Sequence, residues 1–181
     1  MANVSFVDDC LGVLLDGLNK SKYADNTIVI LWGDHGYHLG EHDFWQKLSL
    51  HDESARIPLI VSGPGIKTAE TTALAQQIDI YPTLAELCGL EVPKHVQGKS
   101  LASVIANPKH EVHQAVYCTN KKGHLLRTDR WAYLSWRDGS AELYDMNQDP
   151  QQFTNLAQQE EHAATIAKLS ESLGKKLQTF K

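Results

Sequence analysis

Apolar residues recur at helical spacing from the start of the chain. Val7, Leu11, Leu14, Leu15 and Leu18 fall on one face, which predicts an amphipathic helix already under way in the first residues. A turn at "YADNT" leads into "TIVILW" (27–32), apolar on both faces, the pattern of a fully buried strand in a parallel sheet. Loop 33–47 is broken by Gly33, Gly36 and Gly40, and "IPLIVSGPG" (57–65) gives a second buried run ending in a Gly-Pro-Gly turn. "DIYPTLAELCGL" predicts a helix with Asp79 as N-cap and Gly89 as its stop, and "GKSLASVIAN" a short one. From about residue 115 the rhythm changes to short strand-like runs, "AVYCT", "HLLRT", "WAYLSW" and "AELYDM", the last two joined by the hairpin signal "RDGS". The tail is an amphipathic helix whose stripe, Ile166, Leu169, Leu173 and Leu177, is expected to pack on that small antiparallel sheet.

The fold class that follows is α/β. A core occupies residues 1–110, and a small antiparallel sheet with a packed C-terminal helix occupies 111–181. A net charge of -5 with no basic run argues against nucleic acid, and the longest apolar run is far too short to span a bilayer. The N-terminus shows no basic stretch leading into an apolar one, so no secretory signal is visible, and a chain that starts inside a helix points to something upstream. Cys10, Cys88 and Cys118 form no C-x-x-C pair. Cys10 and Cys88 sit in apolar surroundings and are expected to be small buried hydrophobes.

Candidate chemistry concentrates in "GDHGYHLGEH" (33–42), directly after the first predicted strand, where open α/β sheets bind ligands. Asp34 and His35 pair a carboxylate oxygen with an imidazole nitrogen, which suits a divalent cation but leaves its coordination shell incomplete. His35, His38 and His42 have the spacing of a helical zinc face, but the two interior glycines disfavour a helix there. His38, Glu41 and His42 are therefore read as loop residues bonded to their neighbours. Lys47, flanked by Phe44, Trp45 and Leu48, is placed to meet an anionic substrate group.

The stretch "VILWGDHGYHLGEHDFWQKLSLHDESARIPLIVSGPG" resembles the second half of the sulfatase core, most closely the iduronate-2-sulfatase-like branch of the alkaline phosphatase superfamily. "VSFVDDCLGVLLDGL", "QIDIYPTLAELCGL" and "HLLRTDRWAYLSWRDGSAELYDMNQDPQQFTNLA" extend the likeness over nearly the whole chain. The resemblance implies the second half of an alkaline-phosphatase-like core and a sulfuric ester hydrolase. It makes Asp34 and His35 ligands of calcium, Lys47 the contact to sulfate and the leaving oxygen, and His38 a weaker substrate contact. Glu53 and Arg56 become scaffold.

Sulfatases attack with a formylglycine made from a C-x-P-S-R or C/S-x-A-x-R motif, and neither occurs in the 181 residues. The chain thus resembles the last third of an enzyme, and on its own it is expected to turn over little or no sulfate ester. The alternatives are a phosphonate monoesterase or phosphodiesterase of the same superfamily, or a non-catalytic remnant or docking subunit. Expected partners are a sulfated small molecule or sugar, together with a separate N-terminal half or a second copy. The family's usual exported, periplasmic or lysosomal setting leaves localisation open.

Overall fold

The computed structural model describes residues 2–179. In chain order, helix α1 (Ala2–Asn19) is followed by strands β1 (Val29–Trp32), β2 (His38–Leu39) and β3 (Trp45–Gln46). Helix α2 (Asp52–Ala55), strand β4 (Leu59–Ser62) and helices α3 (Ile80–Leu87) and α4 (Ala102–Ala106) come next. Strands β5 (Ala115–Thr119), β6 (Gly123–Thr128), β7 (Trp131–Trp136) and β8 (Ala141–Asp145) precede the final helix, α5 (Ala163–Gln178). The chain divides into two compact units. One runs to Gly33 and takes up Pro58–Thr68; the other comprises Asp34–Ile57 and the residues from Ala69 onward.

In the first unit the expected helix forms, but none of its described residues is buried, and Val7 and Leu14 stand exposed. The apolar run read as a parallel-sheet strand becomes β1 and pairs antiparallel with β4, from Val29↔Ser62 to Trp32↔Leu59. Nor is it buried on both faces: Leu31 and Trp32 are exposed. Burying both faces of a strand requires layers on both sides, and among the described residues β1 has only β4 beside it.

The second unit is built on a four-stranded antiparallel sheet in the order β5-β6-β7-β8. Register pairs Leu125 with Leu134 and Leu126 with Tyr133, so the period of two sends neighbouring residues to opposite faces. Leu125, Leu134 and Tyr144 meet Leu50 and Met146 on one face. On the other, Leu126, Tyr133 and Leu143 meet Leu169 and Leu173 of α5, with Ile166 and Leu177 half-buried beside them. The predicted stripe thus packs on the predicted sheet. Full burial of each such leucine contributes about 1.5–3 kcal/mol, so these two layers carry much of the unit's stability.

Gly89 stops α3 as expected, at φ +69 with the Leu90 amide donating to the Ala85 carbonyl at 2.8 Å. Asp79 does not cap that helix. Its own backbone is already helical (φ -80, ψ -18), and its side chain closes a capping box with Gln76 around the preceding 3₁₀ turn, Gln77–Asp79. The carboxylate is fully buried and accepts from the Gln76 amide, the Lys99 amide and His113 Nε2, each at 2.8 Å. Cys10 and Cys88 are exposed, not buried, because Cys10 lies on a helix without a buried face and Cys88 at the open end of α3. Among the described residues no helix is long and apolar enough to cross a membrane.

Candidate active-site loop

The loop after Gly33 folds back on itself through a short hairpin. His38 pairs with Gln46 and Leu39 with Trp45, so the chain leaves the hairpin at Lys47, one position past the His38–Gln46 pair and level with Tyr37. The route requires unusual backbone: His42, Asp43 and Gln46 have φ of 55, 51 and 95. Non-glycine residues in this region are strained and persist only where their surroundings hold them. The hairpin carries the chain back beside Tyr37, two residues after His35, which with Asp34 opens the loop.

Those two residues form one unit. The His35 amide donates to Asp34 Oδ1 at 3.0 Å, and His35 Nδ1 lies 2.8 Å from the Gly36 carbonyl. A carbonyl only accepts, so Nδ1 carries the hydrogen. His35 Nε2 then faces Asp34 Oδ2 at 3.3 Å. A bare ring nitrogen and a carboxylate oxygen repel as two lone pairs, and a positive charge shared between them, proton or metal ion, relieves that repulsion. Asp34 Oδ2 is open to a ligand, with the side chain 84% exposed. This donor set fits part of a divalent-cation shell. Among the described residues no group of three or more His, Cys, Asp or Glu side chains is arranged to hold a metal.

Short helix α2 braces the loop from behind. The Gly36 amide donates to the Ser54 carbonyl at 2.9 Å, and a Cβ on Gly36 would fall 1.9 Å from the Glu53 carbonyl oxygen. Only glycine admits so close an approach of two backbones. From the same helix the Glu53 side chain reaches His42, with 3.4 Å between Oε2 and Nε2, although neither atom completes a hydrogen bond. Gln77 Nε2 holds the Asp34 carbonyl at 3.0 Å.

His38, expected at the substrate, is fully buried. Its Nδ1 lies 3.2 Å from the Glu41 carbonyl, and its ring meets His42, His51 and Phe44 edge-on. Glu41 itself accepts from the Leu39 amide at 2.6 Å, and that bond holds its carboxyl below the usual range. His42 stacks on His51 at 4.1 Å. His51 in turn lies 2.9 Å from Glu142 on β8, which also accepts from the Tyr144 hydroxyl and from Trp136 Nε1. Burial pushes the Glu142 carboxyl up, but the bonds from His51, Tyr144 and Trp136 outweigh it and hold the pKa down. Sequence reasoning did not find His51 or Glu142. The available signal was a glutamate set between the apolar residues Ala141 and Leu143 of a predicted strand.

Burial is the largest influence on His42 and, with His51 acting the same way, pushes its pKa below the ordinary 6.5 against the pull of Glu53. The unfolded chain therefore takes up this proton first as pH falls. Between the ordinary value and the lower folded one the unfolded state holds more protons, so stability drops as pH passes below about 6.5. The urea midpoint should fall between pH of about 7.5 and 5.5, and fall less in His42→Gln. Identical pH slopes in the two proteins would remove His42 from this linkage.

Residues 40–179 match the family described as N-sulphoglucosamine sulphohydrolase, C-terminal. A sulfatase of Formosa agariphila is 38% identical over 159 residues, which cover 87% of this chain and 31% of that protein. The structure of BT4656 in complex with its substrate D-glucosamine-2-N,6-O-disulfate superposes with a TM-score of 0.87 at 29% identity, over 97% of this chain and 39% of that one. A phosphonate monoester hydrolase from Silicibacter pomeroyi gives a TM-score of 0.83 at 25% identity, over 94% and 38%. The chain belongs to the sulfatase family and corresponds to its C-terminal part, in the alkaline-phosphatase-like fold. It spans about a third of the length of the curated relatives it matches.

Proposed function

We propose that these residues serve a sulfuric ester hydrolase, with Asp34 and His35 holding a divalent cation and Lys47 meeting the sulfate. The observation that carries the reading is the approach of His35 Nε2 to Asp34 Oδ2 at 3.3 Å, two electron-pair donors turned toward one point. When bound, the cation, calcium by family resemblance, supplies positive charge against the sulfate oxygens. The Gly36 carbonyl fixes the tautomer and orientation of His35, leaving Nε2 free to ligate. Lys47 offers a compact ammonium where negative charge grows on the leaving oxygen. His38, without exposed surface, acts by anchoring the hairpin that carries Lys47 and not by touching substrate.

Two carboxylate oxygens and one ring nitrogen fall short of the six to eight oxygen ligands calcium takes, so remaining ligands come from outside this pair. The nucleophile likewise comes from outside these 181 residues, which hold no formylglycine motif. Calorimetric titration of the chain with Ca²⁺ should show weak binding that Asp34→Asn abolishes. The chain alone should leave p-nitrophenyl sulfate intact. Equal Ca²⁺ binding by the variant, or turnover by the chain alone, would overturn the corresponding half of this assignment.

The likeness to a phosphonate monoester hydrolase supports a second reading, with a phosphonate in place of the sulfate. Comparing p-nitrophenyl sulfate with a phosphonate monoester on the natural gene product separates the two. A higher kcat/KM for the phosphonate would favour the second.

A further inference from the structure

Three histidines outside the Asp34–His35 pair gather at the hairpin. His42 and His51 lie face to face, 4.1 Å apart and within 17° of parallel, and His38 meets them edge-on at 5.8 and 6.2 Å. His51 has a partner at each nitrogen. Its Nε2 lies 2.9 Å from Glu142 Oε2, which can only accept, and its Nδ1 lies 2.6 Å from Ser49 Oγ. His42 completes no bond at Nε2, although Glu53 Oε2 of α2 faces it at 3.4 Å. His38 has Nδ1 on the Glu41 carbonyl and a buried, unpaired Nε2. Tyr144 of β8 faces His51 at 3.5 Å while donating to Glu142, and the Phe153 ring covers His42 at 5.4 Å.

The arrangement tolerates one positive charge better than two. A charge on His51 meets the Glu142 carboxylate. A second, on His42, stands face to face with the first, and the His42 side chain is only 15% exposed, so water screens the repulsion poorly. Glu53 draws a proton onto His42, but burial and His51 together outweigh that pull. Tyr144 supplies no counter-charge, because burial and Glu142 push its hydroxyl up and keep it neutral. The backbone under His42 is ready to give. The turn between β2 and β3 has φ of 55 at His42 and 51 at Asp43, and such strain lasts only while the surroundings hold it. Two bonds close the turn, from the Gly40 amide to the Phe44 carbonyl at 3.2 Å and from the Phe44 amide to the Glu41 carbonyl at 3.1 Å. Swinging the His42 ring outward gives its proton water and lets this turn relax.

We propose that the His42–His51 stack is an acid-released latch on the turn of the hairpin that precedes Lys47. The latch is closed while the two rings carry no more than one charge, and it opens when His42 takes up a second. It belongs to the fold of the loop and does not depend on which ester the enzyme splits.

The test is amide exchange at Gly40 and Phe44, followed by NMR on the chain at pH of about 7.5 and 5.5 and corrected for the intrinsic pH dependence of exchange. A proton taken up by the open form alone raises the opening constant by about tenfold over this interval. Protection at both amides should therefore fall by about five- to tenfold, with little dependence on urea, as for a local opening. The His42 ring resonance should titrate in the same step. His42→Gln should hold the fall below about twofold, and His51→Gln, which removes the facing ring, should lie between that variant and wild type. An acid-induced loss as large as wild type in either variant would overturn the latch. So would exchange of Gly40 and Phe44 only together with Leu126 of β6 in a urea-dependent opening, which would show that the turn has no motion apart from the sheet.

Discussion

Replacing Asp34 with alanine in the natural gene product is expected to lower kcat/KM for p-nitrophenyl sulfate by about a thousandfold, and Lys47→Ala by about a hundredfold or more. Asp34 does two things that no neighbour duplicates. It supplies carboxylate oxygens to the proposed cation, and it turns Oδ2 toward His35 Nε2. Removing it takes away a ligand and leaves His35 Nε2, still oriented through the Gly36 carbonyl, without the oxygen it faces. The fold should be indifferent, because the side chain is 84% exposed and its bond to the protein is a local one to the next amide. Unchanged circular dichroism with lost turnover is thus the signature. Undiminished turnover in Asp34→Ala would take the carboxylate out of the active site. Asp34→Asn, which keeps one oxygen donor but loses the charge, should fall between wild type and alanine.

Asp79→Ala should have the opposite profile, a loss of about 3–5 kcal/mol of stability, read as a lowered urea midpoint. The buried carboxylate answers three donors from three separate segments: the Gln76 amide, the Lys99 amide and His113 Nε2. Its own carbonyl accepts from Thr83 Oγ1 at 2.6 Å, and that oxygen accepts from the Leu101 amide. Alanine would strand these donors inside the protein without water to replace the lost acceptor. Asp79→Asn keeps one acceptor oxygen but aims an amide at another donor, so it should cost less than alanine and still be costly. A midpoint within the error of wild type for Asp79→Ala would show that the segments are held by something else.

The repeat-two and repeat-three-to-four patterns of the C-terminal half were legible because both faces of its sheet find partners within the described chain. Leu126 and Leu173 pack where alternation and stripe put them. The same logic misjudged "TIVILW" and Cys10. Apolar sequence states how much burial a segment can use, and the burial realised depends on what stands beside it. The loop was legible in part. The adjacency of Asp34 and His35 is covalent, and the glycines marked the bend. What the sequence could not show was the hairpin register that brings Lys47 back, or the contacts joining His51 to a glutamate 91 positions away. The hairpin carries left-handed backbone at His42, Asp43 and Gln46; His and Asp adopt it more readily than most residues, but that preference is too weak to place a turn from sequence.

Leu50 has no exposed surface and lies in the core of the C-terminal sheet, and His51 beside it is bonded to β8. The segment between Lys47 and α2 is in this way stitched into the sheet at two successive positions. Ordinary surface loops open and close on their own, at little free-energy cost. Here the loop's stitched end opens only when a layer containing Leu125 and Leu134 lets go of Leu50. Amide exchange from this end should therefore track the sheet instead of the surface. A cavity made on that face of the sheet should loosen the setting of Lys47 well before the chain unfolds.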